Sequence, residues 1–287
     1  MRPLSAYEAS GAGFRLIRRE PRAVLAWALL WFVTFSAAAW TVAASKPVAA
    51  VRAPAPATLG DAAARFGPYG AAVVALFMLV WLVTVVAIYR AVLRPNERRW
   101  FYLRFGPDEL RLGVLTLAAC LAAVPLGGAP AYLVFVLTTP FLRFLPDATR
   151  DIAGLGVLIT VWLDVWLGVR LSLIAVETFS ERRFHLTAYW PLTRGRFWYL
   201  LGGYFLFFLV LLGLTVVFLP LMGLIAGPVP ELRAGDLIER GGLLVRAGGL
   251  TAVISIFWTL SATLFCAAQA HAFRAIVGGG RAGVAPA

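Results

Sequence analysis

The sequence has little of the side-chain chemistry from which metal sites, disulfides and catalytic triads are built. Its 287 residues include two cysteines and two histidines. Cys120 and Cys266 lie inside apolar runs with small neighbours, where a free cysteine packs as a small core residue. His185 and His271 are isolated, and the sequence places no nucleophile, carboxylate or metal-ligand motif beside either one. We therefore expect no metal, no cofactor and no enzymatic activity.

Charged residues are also scarce. They make up 14% of the chain, compared with roughly 25% in soluble domains, while 61% of the residues are hydrophobic. Apolar runs extend from residue 23 to residue 276 with no soluble-looking block between them. The first run is about as long as the ~20 residues of a membrane span and follows a segment that contains Glu8 and Glu20, which does not fit a cleavable signal peptide. We expect one polytopic membrane domain over residues 1–287.

Six apolar runs are long enough to cross a bilayer. They cover residues 23–44, 70–89, 112–142, 152–169, 197–225 and 250–273. The third run exceeds one span, but Pro125, Gly127, Gly128 and Pro130 divide it into pieces that are too short to cross alone. The sequence thus predicts an all-α membrane protein with six transmembrane helices, the third of which is broken near Pro125 to Pro130.

The basic residues indicate how these helices are threaded. A formal net charge of +12 would also suit a protein that binds nucleic acid. With six spans and a cytoplasmic N-terminus, however, about two thirds of the 26 Lys and Arg residues fall in the inner segments. This bias follows the positive-inside rule, whereas splitting the third run would move Arg170 to Arg196 outside. We expect a bacterial inner-membrane protein with both termini in the cytoplasm and no binding to nucleic acid.

The chain repeats a simple unit. Basic and aromatic segments, FRLIRREPRAVL, FYLRFGPDELRL and YWPLTRGRFWYLL, precede the first, third and fifth spans, and an arginine closes each of the other three, at Arg90, Arg170 and Arg274. The pattern predicts three helical hairpins with cytoplasmic interfacial segments before helices 1, 3 and 5. Aromatic rings suit the membrane interface, and arginines there attract anionic lipid at about 1 kcal/mol per basic residue. We interpret these segments as membrane-surface anchors, with recognition of a lipid headgroup as the alternative.

Some of these motifs resemble a known family. The stretch LTRGRFWYLLGGYF follows a helix that ends VRLSLIAVE, and the N-terminal part reads FRLIRREPRAVLAWALLW. Together they resemble the bacterial family named for the membrane domain of some glycerophosphodiester phosphodiesterases, and the likeness covers most of the chain. In that family the hydrolase is a separate soluble barrel fused to some members, and this sequence has neither that block nor a His/Glu metal-ligand motif. The resemblance implies a six-helix bacterial inner-membrane protein with an accessory or lipid-associated role, and does not imply hydrolase activity.

Asp164 is the only acidic residue deep within a predicted span. It lies six residues, or about 9 Å along a helix, from Arg170 and belongs to a small-residue face that is suited to helix packing. Tyr204 and Gln269 lie at similar depth, and Thr84 is the positional counterpart of Asp164 on the second helix. Two interpretations stay open, namely a structural carboxyl bonded to such neighbours and a proton, ion or substrate site.

Candidate contacts with lipid headgroups lie at the predicted membrane boundaries. They are the arginines and tryptophans Arg90, Arg170, Arg194, Arg196, Arg274, Trp190 and Trp198. Boundary arginines also extend to the interface without any special function, and Arg170 has Glu177 as an alternative partner. The sequence therefore predicts a non-enzymatic membrane protein that acts through membrane lipids, including anionic phospholipid, or through membrane-protein partners. The alternative is a small transporter or proton-coupled permease centred on Asp164.

Overall fold

The computed structural model describes residues 6–45, 59–118, 162, 165–182, 193, 195–226 and 237–281. These residues form helices joined by turns and short connections, and no strand occurs among them. The all-α prediction is therefore confirmed. The helices are α1 (Ala6–Arg19), α2 (Pro21–Ser45), α3 (Leu59–Leu93), α4 (Ile174–Glu181), α5 (Phe197–Ala226) and α6 (Leu237–Arg281), with a 3₁₀ turn at Arg99–Tyr102. A further helical stretch occupies residues 107–118.

Four described helices are long and apolar enough to cross a membrane. The candidate spans are Pro21–Thr41, Gly70–Leu93, Phe197–Ile225 and Val245–Val277. They coincide with the spans predicted at 23–44, 70–89, 197–225 and 250–273. Most of the predicted spans 112–142 and 152–169, including the break near Pro125 to Pro130, lies outside the described residues. The described helices are thus compatible with a membrane protein.

The chain divides into two compact units. The larger unit comprises Tyr7–Arg104 and Phe205–His271, and the smaller unit comprises Met1–Ala6, Phe105–Tyr204 and Ala272–Ala287. The larger unit contains α2, α3 and the 3₁₀ turn together with most of α1, α5 and α6, and it is the unit in which the structure describes most side chains.

A sharp boundary separates α1 from α2. Glu20 is the one non-helical residue between them, and Pro21 occupies the first position of α2. Proline suits this position because the first N–H groups of a helix have no intrahelical partner, and it disfavours helical geometry in the residue before it. Glu20 still links the two helices through its backbone, since its N–H donates to the Leu16 carbonyl at 2.8 Å and its carbonyl accepts from Ala23 at 3.1 Å. The side chain of Glu20 is thereby placed at the start of a candidate span.

An aromatic cluster with the buried Trp31 at its centre joins three helices of the larger unit. Trp31 and Phe35 lie four residues apart on α2, Phe77 and Trp81 lie four apart on α3, and Trp258 is on α6, so each pair shares one helix face. The Trp31 ring centroid is 5.9 Å from that of Phe77 and 5.8 Å from that of Trp258, and Trp81 is 5.9 Å from Trp258. Tilted and edge-on rings at such distances are favourable. The cluster therefore ties α2, α3 and α6 together.

Helix α1 packs closely on α6. Its residues Ala12 and Leu16 are buried, whereas Phe14 is exposed. Gly13 on the buried face approaches Leu264 so closely that a Cβ atom at position 13 would lie 2.5 Å from the Leu264 Cα atom. Glycine is required at this crossing because any side chain would meet the α6 backbone.

Helix α5 presents apolar side chains on every side. Large ones such as Phe205, Val216 and Leu224 are exposed, and the rings of Phe207 and Phe218 contact Phe265 and Phe257 of α6 at centroid distances of 5.1 and 5.4 Å. A helix that is apolar all round belongs in an apolar surrounding, which agrees with a membrane span.

Candidate functional site

The segment after α3 has an unusual backbone. Trp100 (φ 50°, ψ 42°), Phe101 (φ 57°, ψ 32°) and Tyr102 (φ 66°) all adopt left-handed conformations. For residues with a Cβ atom the left-handed conformation costs about 1–2 kcal/mol each. Three consecutive aromatic residues in this region persist only where the surrounding structure holds them.

Two helices hold this turn by hydrogen bonds to its carbonyl groups. Arg90, on the last turn of α3, is 1% exposed, and its Nη1 donates to the carbonyls of Tyr102 at 3.2 Å and Arg104 at 3.3 Å. The indole Nε1 of Trp27, a fully buried residue of α2, donates to the Phe101 carbonyl at 3.0 Å. The turn is therefore fastened at the end of the hairpin where α3 finishes and α2 begins.

A buried carboxylate lies beside the turn. Glu20 is 5% exposed, and its Oε2 atom forms an ion pair with Arg98 Nη2 at 2.8 Å. The Oε1 atom lies 3.9 Å from Arg19 Nε and accepts a long hydrogen bond from the Tyr102 hydroxyl at 3.5 Å. Burial, and then the charge of Glu20, raise the pKa of Tyr102. Tyr102 therefore stays protonated at neutral pH and keeps its role as a donor.

Glu20, Arg98 and Tyr102 line a cavity of about 510 Å³ that is open to the surface. Its wall includes Glu20, Arg22, Asn96, Arg98 and Arg99, together with the aromatic residues of the turn. Three guanidinium groups thus face one carboxylate, and that carboxylate is paired with Arg98. Among the described residues the structure gives no ion-pair partner to Arg22 or Arg99. The arrangement offers fixed positive charge to an anion.

The turn also exposes aromatic surface next to this charge. Trp100 is 83% exposed and Phe101 46% exposed, and both line the cavity. Tyr102, which shares the left-handed backbone, is buried, so the turn places two of its three aromatic side chains at the surface. An aromatic ring and an arginine side by side at the end of a span are typical of a membrane interface.

The predicted intramembrane residues are only partly brought together. Gln269 is buried, and its Oε1 atom accepts a hydrogen bond of 2.9 Å from the Tyr89 hydroxyl. Thr84 is buried as well, and its hydroxyl donates to the Val80 carbonyl of its own helix at 2.7 Å. Tyr204 belongs to the smaller unit and is half-buried. Asp164 lies outside the described residues, so the interpretations of that residue stay predictions.

The predicted boundary residues fall into different surroundings. Arg170 is half-buried, with Nη1 3.2 Å from Thr193 Oγ1 and the guanidinium 5.5 Å from the centroid of the Trp166 ring. Trp198 and Arg274 are exposed, and Arg196 is half-buried. Arg194 and Trp190 lie outside the described residues. The headgroup contacts of all these residues stay predictions, and Arg90 has the additional structural role at the turn.

Comparisons with known proteins assign neither a family nor a function to this site. No protein-family model, no curated protein and no solved structure matches this chain. The class that the fold and the site define is an all-α protein with four described helices able to cross a membrane and a basic, aromatic cavity at the end of two of them.

The sequence signal for this cavity begins a few residues before the predicted interfacial segment. The basic and aromatic segment predicted before the third span begins at Phe101, whereas the cavity also uses Asn96, Arg98, Arg99 and Trp100 just before it. Glu20 served only as an argument against a signal peptide. The predicted first hairpin brings the start of α2 beside the segment after α3, but it does not specify that Glu20 pairs with Arg98.

Proposed function

We propose that this chain is a non-enzymatic integral protein of the bacterial inner membrane that acts through anionic lipid at its cytoplasmic surface. The observation that carries the proposal is the Arg99–Tyr102 turn. It exposes Trp100 and Phe101 next to two arginines of the same cavity wall that form no ion pair within the described part of the chain, directly beyond the end of a candidate span.

The position of the turn supports a role at the lipid headgroups. The candidate span Gly70–Leu93 ends just before it, and the span Pro21–Thr41 begins just after Glu20. The ion pair between Arg98 and Glu20 and the bond from Trp27 to Phe101 bring these two ends together. Tryptophan prefers the headgroup level and arginine attracts anionic lipid there, so one segment combines both preferences.

The proposal includes the complete threading. Six transmembrane helices form three hairpins, the third helix is broken near Pro125 to Pro130, and both termini are cytoplasmic. Support comes from the first hairpin. The basic segment before α2 and the basic segment after α3 meet at one end, through the ion pair between Glu20 and Arg98. The positive-inside rule expects these two segments on the same side of the membrane. The resemblance of the N-terminal and 192–205 motifs to the membrane-domain family points to the same architecture and to an accessory or lipid-associated role.

Reporter fusions test the threading. We expect fusions after residues 100 and 190 to report from the cytoplasm, because each follows an even number of proposed spans. Fusions after residues 55, 147 and 240 should report from the opposite side. Each site is fused to a reporter that is active only in the periplasm, such as alkaline phosphatase, and to one that is active only in the cytoplasm. The ratio of the two activities shows on which side of the membrane the site lies. The threading is wrong if positions 100 and 190 lie on different sides of the membrane.

A lipid titration tests the function. We expect the unfolding temperature of the purified chain to rise in nanodiscs as phosphatidylglycerol replaces phosphatidylcholine, because the basic inner surface binds the negative headgroups. The rise should shrink when the ionic strength is increased to 1 M, where the screening length is about 3 Å. An unfolding temperature that is independent of phosphatidylglycerol would contradict an action through anionic lipid.

A further inference from the structure

The cavity beside the turn has the dimensions of a ligand site. Its volume of about 510 Å³ falls within the roughly 300–1,000 Å³ of small-molecule sites in proteins. Its wall comes from the start of α2, through Glu20 and Arg22, and from the segment Asn96–Tyr102. These two parts are joined across the cavity by the ion pair of 2.8 Å between Glu20 and Arg98. The site is therefore built from tethered elements.

The charges of the wall select an anion. Among the carboxylates that the structure describes, only Glu20 lines the cavity, and it lies against Arg98, with Arg19 and the Tyr102 hydroxyl on its other oxygen. These contacts neutralise the carboxylate and orient the Arg98 side chain. Arg22 and Arg99 then contribute positive charge that no described carboxylate offsets.

The donor types on the wall match a phosphate group. A guanidinium group presents a planar set of N–H donors that binds two oxygens of a phosphate at once, and two such groups together match its charge. The Asn96 amide adds a neutral donor. Trp100 and Phe101 provide apolar surface for the carbon-containing part of the ligand.

We propose that this cavity binds a phosphate-bearing anion through Arg22 and Arg99, with Glu20 holding Arg98 in place as the third cation of the site. The chemistry is shared by the headgroup of an anionic phospholipid and by free phosphate. The lipid source rests on the function proposed above, since the cavity lies at the end of two candidate spans, where headgroup phosphates are found.

Native mass spectrometry of the full chain in neutral detergent tests the site. The variant with Arg22→Gln and Arg99→Gln removes both unpaired arginines of the wall. Its matched control carries Arg18→Gln and Arg104→Gln, which remove equal charge from exposed arginines of the adjoining segments that do not line the cavity. Binding is measured for phosphatidylglycerol, phosphatidylcholine and inorganic phosphate. We expect the cavity variant to lose about 10-fold more phosphatidylglycerol binding than the control, because both variants lose the surface attraction of two basic residues but only the cavity variant also loses direct hydrogen bonds to the phosphate.

Each outcome decides a separate point. Selective loss in the cavity variant supports the site, and binding of inorganic phosphate that is lost in the same variant assigns the ligand to soluble phosphate instead of lipid. Equal losses of phosphatidylglycerol binding in the two variants would overturn the cavity site but leave an anionic-lipid surface elsewhere on the protein. Unchanged binding in both variants would have the same meaning. A wild-type chain that does not distinguish phosphatidylglycerol from phosphatidylcholine and does not bind inorganic phosphate would overturn the site and the proposed function together.

Discussion

Alanine at position 13 is expected to destabilise the folded protein by about 2 kcal/mol, although alanine is the better helix former by up to about 1 kcal/mol. The new Cβ atom would lie 2.5 Å from the Leu264 Cα atom and 2.8 Å from its Cδ2 atom. A backbone atom of α6 cannot rotate away, so α1 must move. The loss is measured as a lower unfolding temperature in detergent, followed by tryptophan fluorescence.

Gly11 supplies the matched control on the same helix. A Cβ atom at position 11 would meet only the end of the Arg15 side chain, at 3.1 Å, and that side chain is flexible. Gly11→Ala should therefore be neutral or stabilising, as expected from helix propensity. If Gly13→Ala and Gly11→Ala shift the unfolding temperature equally and in the same direction, the close crossing of α1 and α6 does not exist.

Replacing Arg90 with methionine should release the left-handed turn and cost about 3 kcal/mol, since hydrogen bonds from a charged donor contribute about 1.5–3 kcal/mol each and two are lost. The carbonyls of Tyr102 and Arg104 then lose the hydrogen bonds from Arg90. The left-handed conformations of Trp100, Phe101 and Tyr102 are no longer held by these bonds. We expect a lower unfolding temperature and faster tryptic cleavage after Arg98 and Arg99.

Arg104→Met serves as the control for this substitution. It removes the same charge from the same segment, but the Arg104 side chain is exposed and the carbonyl that Arg90 binds is unchanged. Its effect should stay within about 0.5 kcal/mol, as for other surface substitutions. Equal effects of Arg90→Met and Arg104→Met on stability and on cleavage would refute the fastening role of Arg90.

The four candidate spans could be predicted from the sequence because the length and apolar character of a span are local properties. Twenty or so consecutive apolar residues specify it without knowledge of any partner, and the spans at 23–44, 70–89, 197–225 and 250–273 were found in this way. The helices themselves run further, as α3 begins at Leu59 and α6 extends from Leu237 to Arg281. Hydropathy marks only the part suited to hydrocarbon, whereas helical geometry continues into less apolar flanks.

The cavity was less accessible because its parts meet through long-range contacts. Arg90 was identified as a boundary residue, but its burial depends on the shape of the turn twelve residues later. That shape contradicts local preference, since bulky aromatic residues avoid positive φ. The pairing of Glu20 with Arg98 likewise spans the first hairpin, and the hairpin pattern does not specify which side chains meet at its end.

The most direct test of the account is a cryo-electron-microscopy structure of the full chain in a bilayer that contains phosphatidylglycerol. We predict a lipid phosphate inside the cavity, within hydrogen-bonding distance of Arg22 and Arg99, with Trp100 and Phe101 at the headgroup level. A cavity open to water, with Trp100 and Phe101 away from the bilayer and every lipid phosphate distant from both arginines, would contradict the account.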